Sequence, residues 1–173
     1  MTVIRELTVD DWADWRALRL TALSEAPHAF GARLAEWQGE GDTEARWRQR
    51  LIDRPFNVLA EVDGRAAGMA SGTEPYEIVP DKTVPDETAT VSLHSMYVAD
   101  FARGHGVGGA LIESVAGWAL SCGARRLRLE VFDDNEAAIA LYRRHGFTPA
   151  GTVRYPRPAL EMTREVRHPS RSA

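Results

Sequence analysis

The segment Arg103-Gly104-His105-Gly106-Val107-Gly108-Gly109 stands between an alternating stretch ending near Val98 and an apolar helical stretch beginning near Gly108. Its position decides the fold more than its glycine content does. Successive glycines let consecutive backbone N–H groups converge, and the N-terminus of the following helix adds a partial positive charge of about half a unit. A pyrophosphate is the ligand such a turn suits. Read on glycine content alone, a plain loop before a helix is also open, so the flanking sequence has to choose.

Outward from that segment, residues 88–98 alternate as a strand, residues 108–121 form a helix ending at Gly123, and residues 126–132 return as a strand. This is a βαβ unit. Residues 135–145 predict a last helix stopped by Gly146, and residues 147–153 and 160–166 supply the final strands. Toward the N-terminus a short strand is expected over 3–7. A helix follows over 10–24, where Trp12, Trp15, Leu18 and Ala22 recur near helical spacing behind Thr8 or Asp10 as cap. Residues 27–31 break it, and residues 43–52, with Trp47 and Leu51 four apart, predict a second helix. Residues 57–62 and 65–73 flank Asp63-Gly64, a dipeptide suited to a tight hairpin turn. Between 74 and 87, Pro75, Pro80 and Pro85 among acidic and basic residues predict an exposed loop.

At 173 residues the chain fits one domain, expected over 1–166 with a disordered tail over 167–173. Its 44% hydrophobic and 27% charged residues suit a globular enzyme and are too apolar for disorder. A formal charge of −4 gives no net attraction to nucleic acid or to anionic membranes, so neither is an expected partner. Cys122 is the one cysteine, which excludes an internal disulfide and a Cys-rich metal site. The N-terminus has no apolar leader segment and no run is long enough to span a bilayer; the reading is a cytoplasmic protein that needs no metal.

Two phosphate-binding patterns compete for the glycine segment. A P-loop fails because no Gly-Lys-Ser or Gly-Lys-Thr follows. Gly104, Gly106 and Gly109 do match the dinucleotide pattern, with Glu130 at 26 residues beyond Gly104. That turn, however, follows its strand directly, whereas residues 99–103 intervene here and only one βαβ unit is visible.

A third pattern fits better. Arg103-x-x-Gly106-x-Gly108 resembles the Arg/Gln-x-x-Gly-x-Gly/Ala coenzyme A signature of the GNAT superfamily of N-acetyltransferases. His94-Ser95-Met96-Tyr97-Val98 is similar to the central strand of that family. Asn135 to Tyr142, followed by Gly146-Phe147, is similar to its second coenzyme element. The resemblance covers most of the chain, and its specificity comes from order and spacing together. It implies an α/β (α+β) fold: a mixed, mostly antiparallel central sheet with a parallel βαβ core and helices on both faces.

The resemblance also implies acetyl-CoA as co-substrate and a primary amine of a small molecule or peptide as acceptor, attacked directly; a homodimer is compatible with it. The backbone of Met96 and Val98, with Tyr97 between them, would pair with the pantetheine arm as an added strand. The amides of Arg103, Gly104, His105, Gly106, Val107, Gly108 and Gly109 would cradle the pyrophosphate, Asn135 would contact the coenzyme, and the Met96 amide would face the developing oxyanion. Tyr142 is implied as the acid that returns a proton to the coenzyme sulfur, although its helical spacing with Ala138, Leu141 and His145 also suits a core residue.

The base is where the sequence departs from the family. Many relatives carry Glu four residues before the position of Met96, and Ser92 stands there instead. Strand alternation puts Ser92, His94 and Met96 on one face, and His94, with an ordinary pKa near 6.5, becomes the expected base. Glu130, acting through water, is the second candidate. The departure at Ser92 also keeps open a non-catalytic acetyl-CoA-binding sensor module. Residues 27–39 and 74–87 are expected to shape the acceptor site, with Phe30 and Trp37 as either pocket walls or core and with Asp81, Asp86 and Glu87 as either a cation lure or solvated charge.

Overall fold

The computed structural model describes residues 1–77, 89–154 and 157–167. Most of the expected acidic loop, including Asp81, Asp86 and Glu87, lies outside the described residues, as do the first residue of the strand expected from 88 and positions 168–173 of the tail.

Strand β1 (Thr2–Glu6) leads into helix α1 (Trp12–Glu25) through a short 3-10 turn, where Thr8 and Asp11 form a reciprocal capping box. Helix α2 (Glu44–Asp53) starts behind Thr43, whose hydroxyl accepts from the Arg46 amide at 3.3 Å. The stretch between these helices is wound into three short 3-10 turns, Pro27–Ala29, Leu34–Trp37 and Gly39–Gly41. Strands β2 (Phe56–Val62) and β3 (Arg65–Gly72) form the expected hairpin, with Asp63 and Gly64 both at positive φ.

One expectation fails in part. Tyr76 and Glu77, inside the stretch read as loop, form a two-residue strand β4 against β5 (Ala89–Val98). Helix α3 (Val107–Ser121), strand β6 (Arg126–Phe132), helix α4 (Glu136–Arg144) and strands β7 (Thr148–Val153) and β8 (Ala159–Glu165) complete the chain. The strands run in the order β1-β2-β3-β5-β6-β8-β7, with β4 beside β5. Among the described residues only β5 and β6 pair in parallel.

Two apolar clusters sandwich the sheet. One joins α3 and α4 to the sheet through Leu111, Ile112, Val115, Ile139, Leu127 and Met162. The other joins α1 and α2 through Trp15, Leu18, Trp47, Leu51, Leu59 and Met69. Burial of these side chains, at about 25 cal/mol per Å², is what holds helices to both faces.

The register along β5 carries the feature that matters most for function. Met69 of β3 lies opposite Tyr97 and Ser71 lies opposite His94, so two steps on β3 span three on β5. This is a β-bulge, and Ser95 inside it has φ 54°, the left-handed region that a residue with a Cβ seldom adopts. The extra residue exchanges faces. Val91 and Leu93 belong to the α3 cluster, yet Tyr97, of the same parity, belongs to the α1/α2 cluster, and Met96 and Val98 pack on the α3 side. The expectation that Ser92, His94 and Met96 share one face is therefore corrected: Ser92 and His94 face the α1/α2 side, and Met96 faces the other.

Candidate functional site

The pairing of β5 with β6 covers only Thr90, Val91 and Ser92 opposite Arg126, Leu127 and Arg128. Beyond Ser92 the two strands diverge. The β6-facing backbone of the second half of β5 is thus left without a neighbouring strand, and a groove of about 570 Å³ opens beside it. Its walls are Met96, Tyr97 and Val98 from β5, residues 102–104 and 106–109 from the glycine segment and the start of α3, and Asn135, Ala138, Leu141 and Tyr142 from α4. His28, Ala29 and Phe30 close it from the α1 side.

The four glycines divide into two kinds. Gly104 and Gly106 have φ of 77° and 78° and open space where a Cβ would stand, so backbone conformation is what demands glycine there. Gly108 and Gly109 are needed for close packing. A Cβ on Gly109 would lie 2.6 Å from the His145 ring, and one on Gly108 would lie 3.0 Å from Leu141. The first intrahelical bond of α3 is Ala110 N to Gly106 O at 3.0 Å, so the amides of Val107, Gly108 and Gly109 precede the helical ladder and open toward the groove. Such a turn suits an anion.

Side chains along this segment turn elsewhere. Arg103 donates from Nε to the Val98 carbonyl at 3.1 Å and pairs with Asp100, folding back on its own turn. His105 is exposed, contacts the Arg103 carbonyl at 2.8 Å through Nδ1, and is not part of the groove wall. Tyr97 turns its ring into the α1/α2 core and donates to Glu25; burial and that carboxylate hold its phenol well above the usual range. Its backbone pairs with Met69 of β3.

Asn135 caps α4, its Oδ1 accepting from the Ala138 amide at 3.2 Å, while it also lines the groove. Tyr142 is 7% exposed and packs edge-on against Phe147, with ring centroids 5.7 Å apart. The ring of Tyr142 belongs to the core, and the same side chain lines the groove. Its hydroxyl has no hydrogen-bond partner among the described residues, and burial alone pushes its pKa up, so it stays a neutral phenol throughout the ordinary pH range.

Ser92 is buried and its hydroxyl is committed to Tyr76 at 2.6 Å, while its amide donates to Thr73 Oγ1 at 3.0 Å. Glu130 is exposed and engaged by Arg128 at 2.7 Å, and the same Arg128 nitrogen reaches Glu161 at 2.6 Å. His94 keeps solvent contact, yet neighbouring protein atoms desolvate its ring. Desolvation first, then the positive charges of Arg54, Arg50, Arg128 and Arg19, lower its pKa to about 4. The ordinary value near 6.5 expected from sequence is corrected. His94 is neutral at pH 7 and only weakly basic.

The residues the sequence reading missed are those arginines. Arg19 on α1 is 8% exposed, its guanidinium lies 4.5 Å over the Phe30 ring, and its Nη1 is buried with no partner. Arg50 on α2 donates to Ser71 at 3.1 Å and Ser95 at 2.9 Å and lies over Trp15. Arg54 at the end of α2 has a buried, unpartnered Nε. Phe30 and Trp37 also prove to be packing residues of the α1/α2 cluster, although Phe30 additionally walls the groove. Among the described residues no group of three His, Cys, Asp or Glu side chains is arranged to hold a metal ion, and no helix is long and apolar enough to cross a membrane.

With this geometry in hand, comparison with known proteins is decisive for the family. The model of the acetyltransferase (GNAT) family matches residues 10–147. The chain belongs to the GNAT acetyltransferase family. It is 32% identical over 129 residues to an L-2,4-diaminobutyric acid acetyltransferase of Nocardia farcinica, a match covering 70% of this chain and 62% of that protein. The chain thus spans less than two thirds of that curated relative. A GNAT-family acetyltransferase of Streptococcus pneumoniae superposes with a TM-score of 0.73 at 23% identity, over 96% of this chain and 99% of that one. A Salmonella typhimurium protein solved with its cofactor acetyl-CoA superposes with a TM-score of 0.68 at 20% identity, over 100% and 98%. The mixed sheet with one parallel pair, expected from sequence, is the fold these structures share.

Proposed function

We propose that the chain transfers the acetyl group of acetyl-CoA to a primary amine of a small molecule or peptide by direct attack. The observation that carries this reading is the divergence of β5 from β6, which joins an unpaired strand edge, the α3 N-terminus and the Tyr142 side chain along one groove. The groove fits the coenzyme: an extended amide-bearing arm matches the edge beside Met96 and Val98 that no strand covers, with Arg103 Nε on the Val98 carbonyl to be displaced, and a pyrophosphate matches the amides of residues 106–109.

When bound, acetyl-CoA supplies the activated acetyl thioester. The chain's own residues do the rest. Backbone at Met96 and Val98 aligns the arm, and the Met96 amide is a preorganised donor for negative charge developing on the acetyl oxygen. Tyr142, held neutral by its burial, keeps a proton on Oη for the departing sulfur. On the acceptor side His94 is neutral and can take a proton, and it passes that proton readily to water because its conjugate acid is strong. An alkylamine with a pKa of about 10 is mostly protonated at pH 7, so the reaction draws on the small neutral fraction.

The Ser92 hydroxyl, tied to Tyr76, favours a second reading, a coenzyme-binding sensor without turnover. Free-thiol release from acetyl-CoA against a panel of amines tests both, with L-2,4-diaminobutyrate included because the Nocardia relative bears its name. Amine-dependent thiol release is expected. Tight coenzyme binding with no release on any amine overturns acetyl transfer in favour of the sensor.

A further inference from the structure

On the opposite side of the bulge from the coenzyme groove, α1 and α2 bring three arginines close to one another and to His94. Their chemistry is unusual for a protein interior. Arg19 is more than nine-tenths buried with an orphaned Nη1, and Arg54 has an orphaned Nε. Among the described residues Arg50 is served only by neutral oxygens, those of Ser71, Ser95 and, at 3.5 Å, Asn57. None of the three has an ion pair with a carboxylate among the described residues. The nearby acids are committed elsewhere: Glu25 receives Tyr97, Glu161 receives Arg128, and Asp53 receives Gln49 at 2.8 Å.

Buried cations without a counter-ion are costly, and a buried N–H without an acceptor adds to that cost. Burial lowers the pKa of Arg19 and Arg50, with Arg19 and Arg54 adding like-charge repulsion at Arg50. The cost is concentrated beside His94, which keeps solvent contact. That place is adjacent to the reacting end of the groove. Arg50 is bonded to Ser95, the residue before Met96, and Arg19 lies over the ring of Phe30, which walls the groove.

We propose that the acceptor amine carries a carboxylate, and that Arg19, Arg50 and Arg54 form the subsite that receives it. This rests on the acetyl-transfer reading and narrows its acceptor to amino-acid-like amines. A carboxylate supplies the counter-ion that the three guanidinium groups lack and fixes the amine on the Met96 side of the bulge.

The test compares each of several amino acids with the amine left when its carboxylate is removed, for example lysine with 1,5-diaminopentane and 2,4-diaminobutyrate with 1,3-diaminopropane. The acid should exceed its partner in kcat/KM by at least about tenfold, the value of one charge-assisted contact. Arg19→Met should shrink that ratio to within about threefold, and Arg19→Lys should restore part of it; a ratio cancels any general loss common to both amines. Arg54→Met gives a second reading of the same ratio, and thermal melts confirm that each variant is folded. Equal kcat/KM for acid and amine in the unaltered protein, or a ratio insensitive to both arginine variants, overturns the subsite while leaving acetyl transfer standing. Should no amine release thiol, acetyl transfer itself fails, and calorimetry of the same pairs with coenzyme-saturated protein still decides: preference for the acid that is lost in Arg19→Met supports the subsite, and equal binding overturns it.

Discussion

Arg50 of α2 donates a hydrogen bond to the hydroxyl of Ser95, 45 residues away in the middle of β5, at 2.9 Å. The bond pins a helix to the one residue whose φ of 54° makes the strand change faces. Acceptor-side and coenzyme-side chemistry meet at this point, because His94 lies on one side of Ser95 and Met96 on the other.

Ser95→Gly should therefore keep the bulge: relief of about 1 kcal/mol of backbone strain roughly offsets loss of the hydrogen bond. Melting temperature and kcat/KM should stay near those of the unaltered protein. Ser95→Val imposes a β-branched side chain on positive φ and should cost about 2 kcal/mol or more, with kcat down at least tenfold as Met96 loses its orientation. Similar behaviour of the two variants in melts and kinetics would detach the bulge from function.

Tyr142→Phe removes a hydroxyl that has no partner among the described residues but retains the ring packed on Phe147. Stability should change little, coenzyme affinity should stay within a few-fold, and kcat should fall more than tenfold. Stopped or steady-state thiol release measures it, and unchanged turnover returns Tyr142 to a purely packing role.

Much of the frame was legible because periodicity reports burial directly: the βαβ unit, the Asp63-Gly64 hairpin and the α4 cap at Asn135 all follow from local pattern. The failures have physical causes. Alternation along β5 assumes an unbroken register, and no residue type at 94–96 announces a bulge, since serine at positive φ is sustained by Arg50 from a distant helix. The flanking prolines hid β4, whose two residues are held by pairing to β5 and by the Tyr76–Ser92 contact. Arginine on an amphipathic helix reads as solvent-facing, so nothing in the sequence of α1 or α2 marked Arg19 or Arg50 as buried. The four glycines were legible as a group, but their division into conformational and packing roles needs α4 in place.

His94 makes the folded state pH-dependent. Its pKa is lowered to about 4 in the fold from 6.5, so between those values the unfolded chain binds more protons than the native one. Stability contributed by the neutral ring is complete above pH 6.5, declines as pH falls toward 4, and changes no further below that. The side chain keeps solvent contact, which screens the effect to less than the full shift would give. His94→Asn should flatten this part of the profile in urea titrations taken at pH 4.5, 5.5, 6.5 and 7.5. An equally steep decline in the variant would assign the acid sensitivity to other groups.

The glycine segment allows its two roles to be separated by experiment. At Gly106, φ is 78° and nothing lies within 4 Å of a would-be Cβ, so Gly106→Val meets backbone strain at an exposed turn and not a clash in the core. The apo fold should survive, with a melting temperature lowered by a few degrees at most. Coenzyme A binding should not survive as well, because the turn that directs the first amides of α3 can no longer form. Loss of two hydrogen bonds to a charged group, at about 1.5–3 kcal/mol each, corresponds to at least a hundredfold rise in Kd. Gly109→Ala should act the other way round. Its Cβ would meet the His145 ring at 2.6 Å, forcing α3 and α4 apart, so the apo protein should lose stability by about 1–3 kcal/mol. Coenzyme calorimetry and apo melts on both variants measure the contrast. Near-normal affinity in Gly106→Val would remove the pyrophosphate from this turn, and a collapse of its apo melt would make Gly106 a folding residue like Gly109.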